Sequence, residues 1–233
     1  PSFAHNTSTR LASDLPPLTM EKIETFELGY ITYFSPDYML NANFFHNELE
    51  DLLERGAFIN SSGQYLGFLG NSGNSKTNGL ELSFQAKPTD KATLELSATY
   101  QETEDLNNPE AEPAYSPKWS GQFKLGYDIT PKICLGLKSF YVSEMDVFFD
   151  PSLKNSDGSF GRQIKGSVSD DYIVAGVNLR FKDFFYDGTV INLHIDNIFN
   201  KEITYPTYTK NSWMDKGSVG EERTFMVTVA YQF

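Results

Sequence analysis

Hydrophobic and polar positions alternate with a period of two along most of the chain from residue 24 to the last residue, and helical spacing is nearly absent. Such alternation marks strands with two unlike faces. Over residues 25–34, Phe26, Leu28, Tyr30, Thr32 and Phe34 share one face while Thr25, Glu27, Gly29 and Tyr33 share the other. Leu80, Leu82, Phe84 and Ala86 alternate with Glu81, Ser83, Gln85 and Lys87. Leu94, Leu96, Ala98 and Tyr100 alternate with Glu95, Ser97, Thr99 and Gln101. The pattern returns in 122–128, 177–182, 191–196 and 225–233, with less regular members at 40–47 and 133–141. The count is about nine strands, most near the ~9–11 residues that cross a bilayer when tilted.

Alternation alone does not separate a membrane sheet from a soluble antiparallel one. The connections add weight. Short turns at 35–37, 88–91, 128–132 and 182–188 alternate with long polar connections near 50–77, 102–117, 144–170 and 200–222. Compact soluble domains rarely carry four connections of ~15 residues or more. Short periplasmic turns facing long extracellular loops are what an outer-membrane barrel requires. The expected fold is therefore all-β: an antiparallel up-and-down transmembrane β-barrel segment. Within the first long connection, the Asn/Gly/Ser stretch 70–79 reads as a flexible turn.

Aromatic residues make up 15% of the 233 positions, and the barrel reading gives them a place. Tyr30, Phe34, Phe44, Tyr100, Tyr127, Tyr141, Phe181 and Tyr231 fall near strand ends or on the apolar face, where interfacial girdles use amphipathic rings. The mean hydropathy of −0.39 is compatible with this, because only every second strand residue meets lipid. No apolar run is long enough for a transmembrane helix. A net charge of −12 argues against a nucleic-acid partner, which needs a basic stripe. The single cysteine, Cys134, excludes a disulfide framework and reads as a small lumen-facing filler. No basic, then apolar, signal segment opens the chain, which is expected to be a piece of something longer.

The chain ends Thr224-Phe225-Met226-Val227-Thr228-Val229-Ala230-Tyr231-Gln232-Phe233. Its spacing of Phe225, Val227, Val229, Tyr231 and Phe233 resembles the C-terminal signal that the barrel-assembly machinery of bacterial outer membranes reads as an edge strand. Other segments, in order, resemble the C-terminal barrel portion of TonB-dependent receptors. These are Pro1-Ser2-Phe3, the 15–29 segment with Glu27 and Gly29, the 41–53 run NANFFHNELEDLL, Asn78-Gly79-Leu80-Glu81-Leu82, and Ile195-Asp196-Asn197-Ile198-Phe199-Asn200-Lys201. Arg223 stands where the family opens its final strand with Gly-Arg, although Glu222 replaces the glycine. The resemblance implies an outer-membrane location in a Gram-negative bacterium and a 22-stranded barrel with an N-terminal plug. It also implies contact with the TonB energy-transducing complex through that plug, and uptake of a large scarce nutrient such as a ferric siderophore. Residues 1–233 would then be the C-terminal part of the barrel, with no plug, and unstable alone because its strand edges are open.

Catalytic motifs are absent, so no enzyme is expected. His5, His46 and His194 lack metal-ligand spacing, and neither a metal nor a cofactor is called for. His194 is expected in a lumen hydrogen-bond network. Inward-facing polar residues (Glu81, Gln85, Glu95, Gln101, Gln122, Lys124, Asn178, Arg180, Asn192) would meet plug and water. Glu102, Glu104, Asp105, Glu110 and Glu112 read as a solvated outer loop, bridged to lipopolysaccharide phosphates by divalent ions, with a cation site as the alternative. Candidate contacts to an iron chelate are Phe148, Phe149, Phe160 and Arg162 in one long loop and Tyr205, Tyr208 and Trp213 in the next. Tyr65 and Phe68 are weaker candidates, and loop-to-loop packing is the alternative role for all of these rings. Two other classes stay open: a stand-alone small outer-membrane barrel (adhesin, structural protein or passive pore) and a soluble ligand-binding β-barrel.

Overall fold

The computed structural model describes residues 17–59, 65–107, 109, 113, 115–146, 169–206 and 218–232. Eleven strands are present among them: β1 (Lys22–Ser35), β2 (Tyr38–Ile59), β3 (Tyr65–Thr89), β4 (Ala92–Asp105), β5 (Trp119–Thr130), β6 (Ile133–Val142), β7 (Tyr172–Lys182), β8 (Thr189–Asp196), β9 (Thr204–Tyr205), β10 (Ser218–Val219) and β11 (Thr224–Tyr231). Nine form one sheet in the order β1-β2-β3-β4-β5-β6-β7-β8-β11, so each strand lies beside its predecessor until β11 follows β8. The short pair β9–β10 interrupts that last connection. No helix among the described residues is long and apolar enough to cross a membrane, which leaves crossing by strands open.

Register shows why these residues make this sheet. Across β4–β5, Leu94 faces Leu125 and Leu96 faces Phe123, while Glu95 faces Lys124 and Ser97 faces Gln122. Across β6–β7, Leu135 pairs with Leu179 and Leu137 with Val177, while Cys134 pairs with Arg180. Asn178 opposes His194 on β8, and Ile195 and Ile191 oppose Phe225 and Val229 on β11. Most steps of this antiparallel ladder thus keep apolar beside apolar and polar beside polar, with Gln122 beside Phe140, Phe123 beside Ser139 and Met226 beside His194 as departures. A slip of one residue would mix the faces, so the pattern itself fixes the register. The apolar face is uncovered: Leu96, Tyr127, Ile173, Leu193, Phe225, Val227 and Val229 are all exposed. Among the described residues, Val142, Met145, Tyr172 and Ile203 form a small buried apolar cluster.

Two compact units partition the chain. One comprises residues 28–44, 79–102 and 113–233 and contains β5–β11 with the portions of β1–β4 next to the short turns. The other comprises residues 1–27, 45–78 and 103–112. In this second unit the structure corrects the expected loop over 50–77, since β2 runs to Ile59 and β3 begins at Tyr65. The expected flexible turn at 70–79 is also strand. Here side-chain hydrogen bonds substitute for apolar alternation. Asn71 Nδ2 donates to the carbonyls of Thr19 and Asp51, Asn74 Oδ1 accepts from the Asp51 N–H, and Ser72 donates to Glu54. Over 70–77 the β3 sequence GNSGNSKT is polar at every position and leaves no period for a reader of the sequence to detect.

Candidate ligand recess and the polar face

The polar face of β4–β8 carries paired charges. Lys124 Nζ lies 3.3 Å from Glu95, and Lys138 Nζ lies 2.6 Å from Asp196 Oδ1. The other oxygen of Asp196 is 2.6 Å from His194 Nε2, so the carboxylate joins a lysine to a histidine. Gly176, the cross-strand partner of Lys138, makes this possible. A Cβ there would sit 2.7 Å from Lys138 Cε and 3.0 Å from Asp196 Oδ1, closing the corridor the lysine crosses. His194 therefore stands in a hydrogen-bond network, and Cys134 shares the polar side with Arg180 and Asp128.

Beside the Lys138–Asp196 pair, toward the long connections, opens a recess of about 600 Å³. Phe140, Tyr172, Val174, Ile203, Tyr205 and Val219 supply its apolar walls, and Gln122, Lys138, Asp196, Glu221 and Glu222 its polar ones. Tyr172 meets Tyr205 edge to face, with ring centroids 6.3 Å apart and planes at 89°. Tyr205 is held by the β9–β10 pair, in which it faces Ser218.

The floor of that connection is set by Asn197, which is buried and adopts a left-handed backbone conformation with φ 49°. Asparagine tolerates this region better than most residues. Its amide donates to the carbonyls of Lys201 (2.8 Å) and Glu221 (3.3 Å), and its Oδ1 accepts from the Lys201 N–H (2.8 Å). Asn200 Oδ1 then accepts from the Arg223 N–H, tying the start of the loop to the entry of β11.

Of the rings proposed as ligand contacts, Tyr205 alone lies among the described residues, and it is in the recess. Phe148, Phe149, Phe160, Arg162, Tyr208 and Trp213 lie outside them, as do Phe233 and the side chains of Tyr65 and Phe68. Tyr172 and Lys138 carry no such signal in the sequence, and Asn197 stands there only as part of the 195–201 segment. Alternation marks a face but does not show which strand ends a returning loop will cover. In the acidic stretch, Glu104 is occupied by Lys76 at 2.7 Å and Glu102 and Asp105 belong to β4, while Glu110 and Glu112 lie outside the described residues. Among the described residues no group of three or more His, Cys, Asp or Glu side chains is placed to hold a metal ion. At the start of β1, far from the short turn, hydrogen bonds to Glu24 and then Glu50 hold the Lys22 ammonium pKa well above its ordinary value, and Lys22 in turn lowers that of Glu24. All of these groups are solvated, so this pairing contributes little stability.

Comparison with known proteins agrees with the fold. The family model described as "TonB dependent receptor-like, beta-barrel" matches residues 1–198. No curated protein sequence matches. Among solved structures, the ferric-catecholate import receptor Fiu from E. coli K12 superposes with a TM-score of 0.68 at 22% identity, over 94% of this chain and 28% of that one. The FrpB iron transporter from Neisseria meningitidis gives 0.66 at 20% identity, over 93% of this chain and 32% of that one. The copper transporter OprC gives 0.69 at 16% identity, with 93% and 32% covered. The chain thus spans about a third of the length of these structures.

Proposed function

Because the chain belongs to the TonB-dependent receptor β-barrel family, whose members are outer-membrane transporters and not enzymes, we propose that it forms the C-terminal part of a receptor wall serving energy-coupled uptake of a large, scarce nutrient, most specifically a ferric siderophore. A passive pore cannot collect a ligand that is both bulky and rare. Tight binding at the outer rim followed by release through work can, with the TonB complex acting on a plug enclosed by the barrel. The polar face would meet that plug and water, while the apolar face meets lipid and, toward the outside, lipopolysaccharide.

One observation carries the ligand reading: a recess within the ~300–1,000 Å³ range of small-molecule sites, walled by Phe140, Tyr172 and Tyr205 at the end of the strands remote from the short turns. Aromatic walls beside a few polar groups suit a ring-containing chelate. The test is transport by the intact receptor in iron-starved cells offered a panel of labelled ferric siderophores. The expected result is uptake of one chelate class that is lost on gene deletion. In the double variant Tyr172→Ala/Tyr205→Ala, affinity should fall about tenfold, the scale of one lost aromatic contact. Unchanged uptake of every ferric chelate after deletion would overturn the iron reading.

A further inference from the structure

The recess walled by Phe140, Tyr172 and Tyr205 has a sign. Lys138 is its one lining cation among the described residues, and that charge is spent, with Nζ 2.6 Å from Asp196 Oδ1. Three carboxylates line the same space, those of Asp196, Glu221 and Glu222. Asp196 is committed to Lys138 and, through Oδ2, to His194. Neither Glu221 nor Glu222 has a side-chain hydrogen bond or ion pair among the described residues. The Asn197 amide offers no donor to an anion either, since both its protons serve the Lys201 and Glu221 carbonyls.

The two uncommitted carboxylates are borne by a pinned segment. The Gly220 N–H donates to the Ile203 carbonyl at 2.8 Å, the Glu221 carbonyl accepts from Asn197 at 3.3 Å, and the Arg223 N–H donates to Asn200 Oδ1 at 3.0 Å. A Cβ on Gly220 would stand 3.1 Å from both Ile203 Cβ and Tyr205 Cε2, so a bare backbone there lets the segment lie close against the ring. Lys201 and Arg223 flank the recess without lining it. Nor do the surroundings reverse the sign. The connections over 143–171 and 197–223, taken whole from the sequence, hold ten acidic residues and seven basic ones. Among their described residues seven are acidic, and two, Lys201 and Arg223, are basic. A field of that sign gathers cations at the recess and repels anions.

An aromatic wall beside an uncommitted carboxylate is an arrangement that holds an ammonium group, because ring faces attract the cation and the carboxylate pairs with it. A polyanionic chelate would meet repulsion from the same carboxylates. We propose that the recess selects positive charge: Glu221 and Glu222 take the protonated amine of an amine-bearing ferric chelate, while Phe140, Tyr172 and Tyr205 pack against its uncharged body. The nature of the cargo rests on the siderophore reading, and the sign of its charge does not.

The test is equilibrium binding to the intact receptor in detergent of two probe pairs, each differing by one positive charge. Ferrioxamine B, which ends in a protonated amine, is compared with its N-acetyl form, the same ferric chelate without that charge. The iron-free aromatic cation 1-methylnicotinamide is compared with neutral nicotinamide. Both pairs are read by quenching of a tryptophan introduced as Phe140→Trp, as the difference from the parent protein, with folding verified by heat-modifiable gel mobility. The cationic member of each pair should bind about tenfold more tightly, the scale of one ring–cation contact with one solvated ion pair. Adding Glu221→Gln and Glu222→Gln should bring both ratios near one and leave the affinity for the N-acetyl chelate unchanged. Equal affinities within each pair, a cation preference that survives the two glutamines, or binding of no probe would overturn the proposal. A preference within the nicotinamide pair while neither chelate binds would uphold the cation site and remove the siderophore reading. Binding of both chelates with equal affinity would do the reverse.

Discussion

The two faces of the strands β4–β8 share one backbone and differ in everything else. On one side Leu94, Leu96, Phe123, Leu125, Leu137, Val177 and Leu179 form an apolar ladder in which none is buried. On the other, Glu95–Lys124 and Lys138–Asp196–His194 form short polar contacts. In water the first face would be a large exposed apolar patch, which soluble monomers do not carry. In hydrocarbon it costs nothing to leave uncovered, and the polar groups are instead drawn to the opposite side. The difference teaches that the solvent of each face, more than internal packing, selects this fold. Among the described residues the buried apolar cluster is correspondingly small: Val142, Met145, Tyr172 and Ile203.

Breaking the apolar side should have the largest effect. Arginine at Leu82, Leu96, Leu125 or Leu179 places a charge against lipid, at about 2–4 kcal/mol each near the bilayer midplane. Each single variant of the intact receptor should lower the urea unfolding midpoint in lipid, and the quadruple variant should fail to insert, as read by outer-membrane fractionation. Next is the staple at Asn197. Asn197→Ala removes the partner of two half-buried carbonyls and one N–H and leaves alanine in a left-handed conformation, for about 2 kcal/mol. Equilibrium unfolding should show that loss, whereas Arg223→Ala, which keeps its backbone N–H bonded to Asn200, should be nearly silent. The smallest change belongs to the polar face. Glu95 and Lys124 are about half exposed, so Glu95→Gln should alter stability by less than about 1 kcal/mol in the same assay.

How much of this was legible in the sequence follows from the same contrast. Where one face is apolar, the period is visible. Strands such as Leu94–Tyr100 and Val177–Phe181 and the polar placement of Cys134 and His194 could be read directly, and register bears them out. Where every position is polar, as along 70–77, no alternation marks the strand that the structure shows. The side-chain bonds there run through Asn71, Ser72 and Asn74, residue types that favour turns elsewhere. The recess was half visible. Tyr205 stood out as a loop aromatic, but Tyr172 and Ile203 join it only because Asn197 and Asn200 fold the connection back, a tertiary event without a local period.

The most direct test of the central claim is a nitroxide scan of β7 in the intact receptor in lipid, one label at a time from Val174 to Phe181 in a Cys134→Ser background. Collision rates with oxygen, which partitions into hydrocarbon, are compared with those of a water-soluble nickel complex. The account predicts a period of two, with Val177, Leu179 and Phe181 oxygen-accessible and Asn178 and Arg180 protected from it. A flat profile, or oxygen access at Asn178 and Arg180 with nickel access at Leu179, would contradict it.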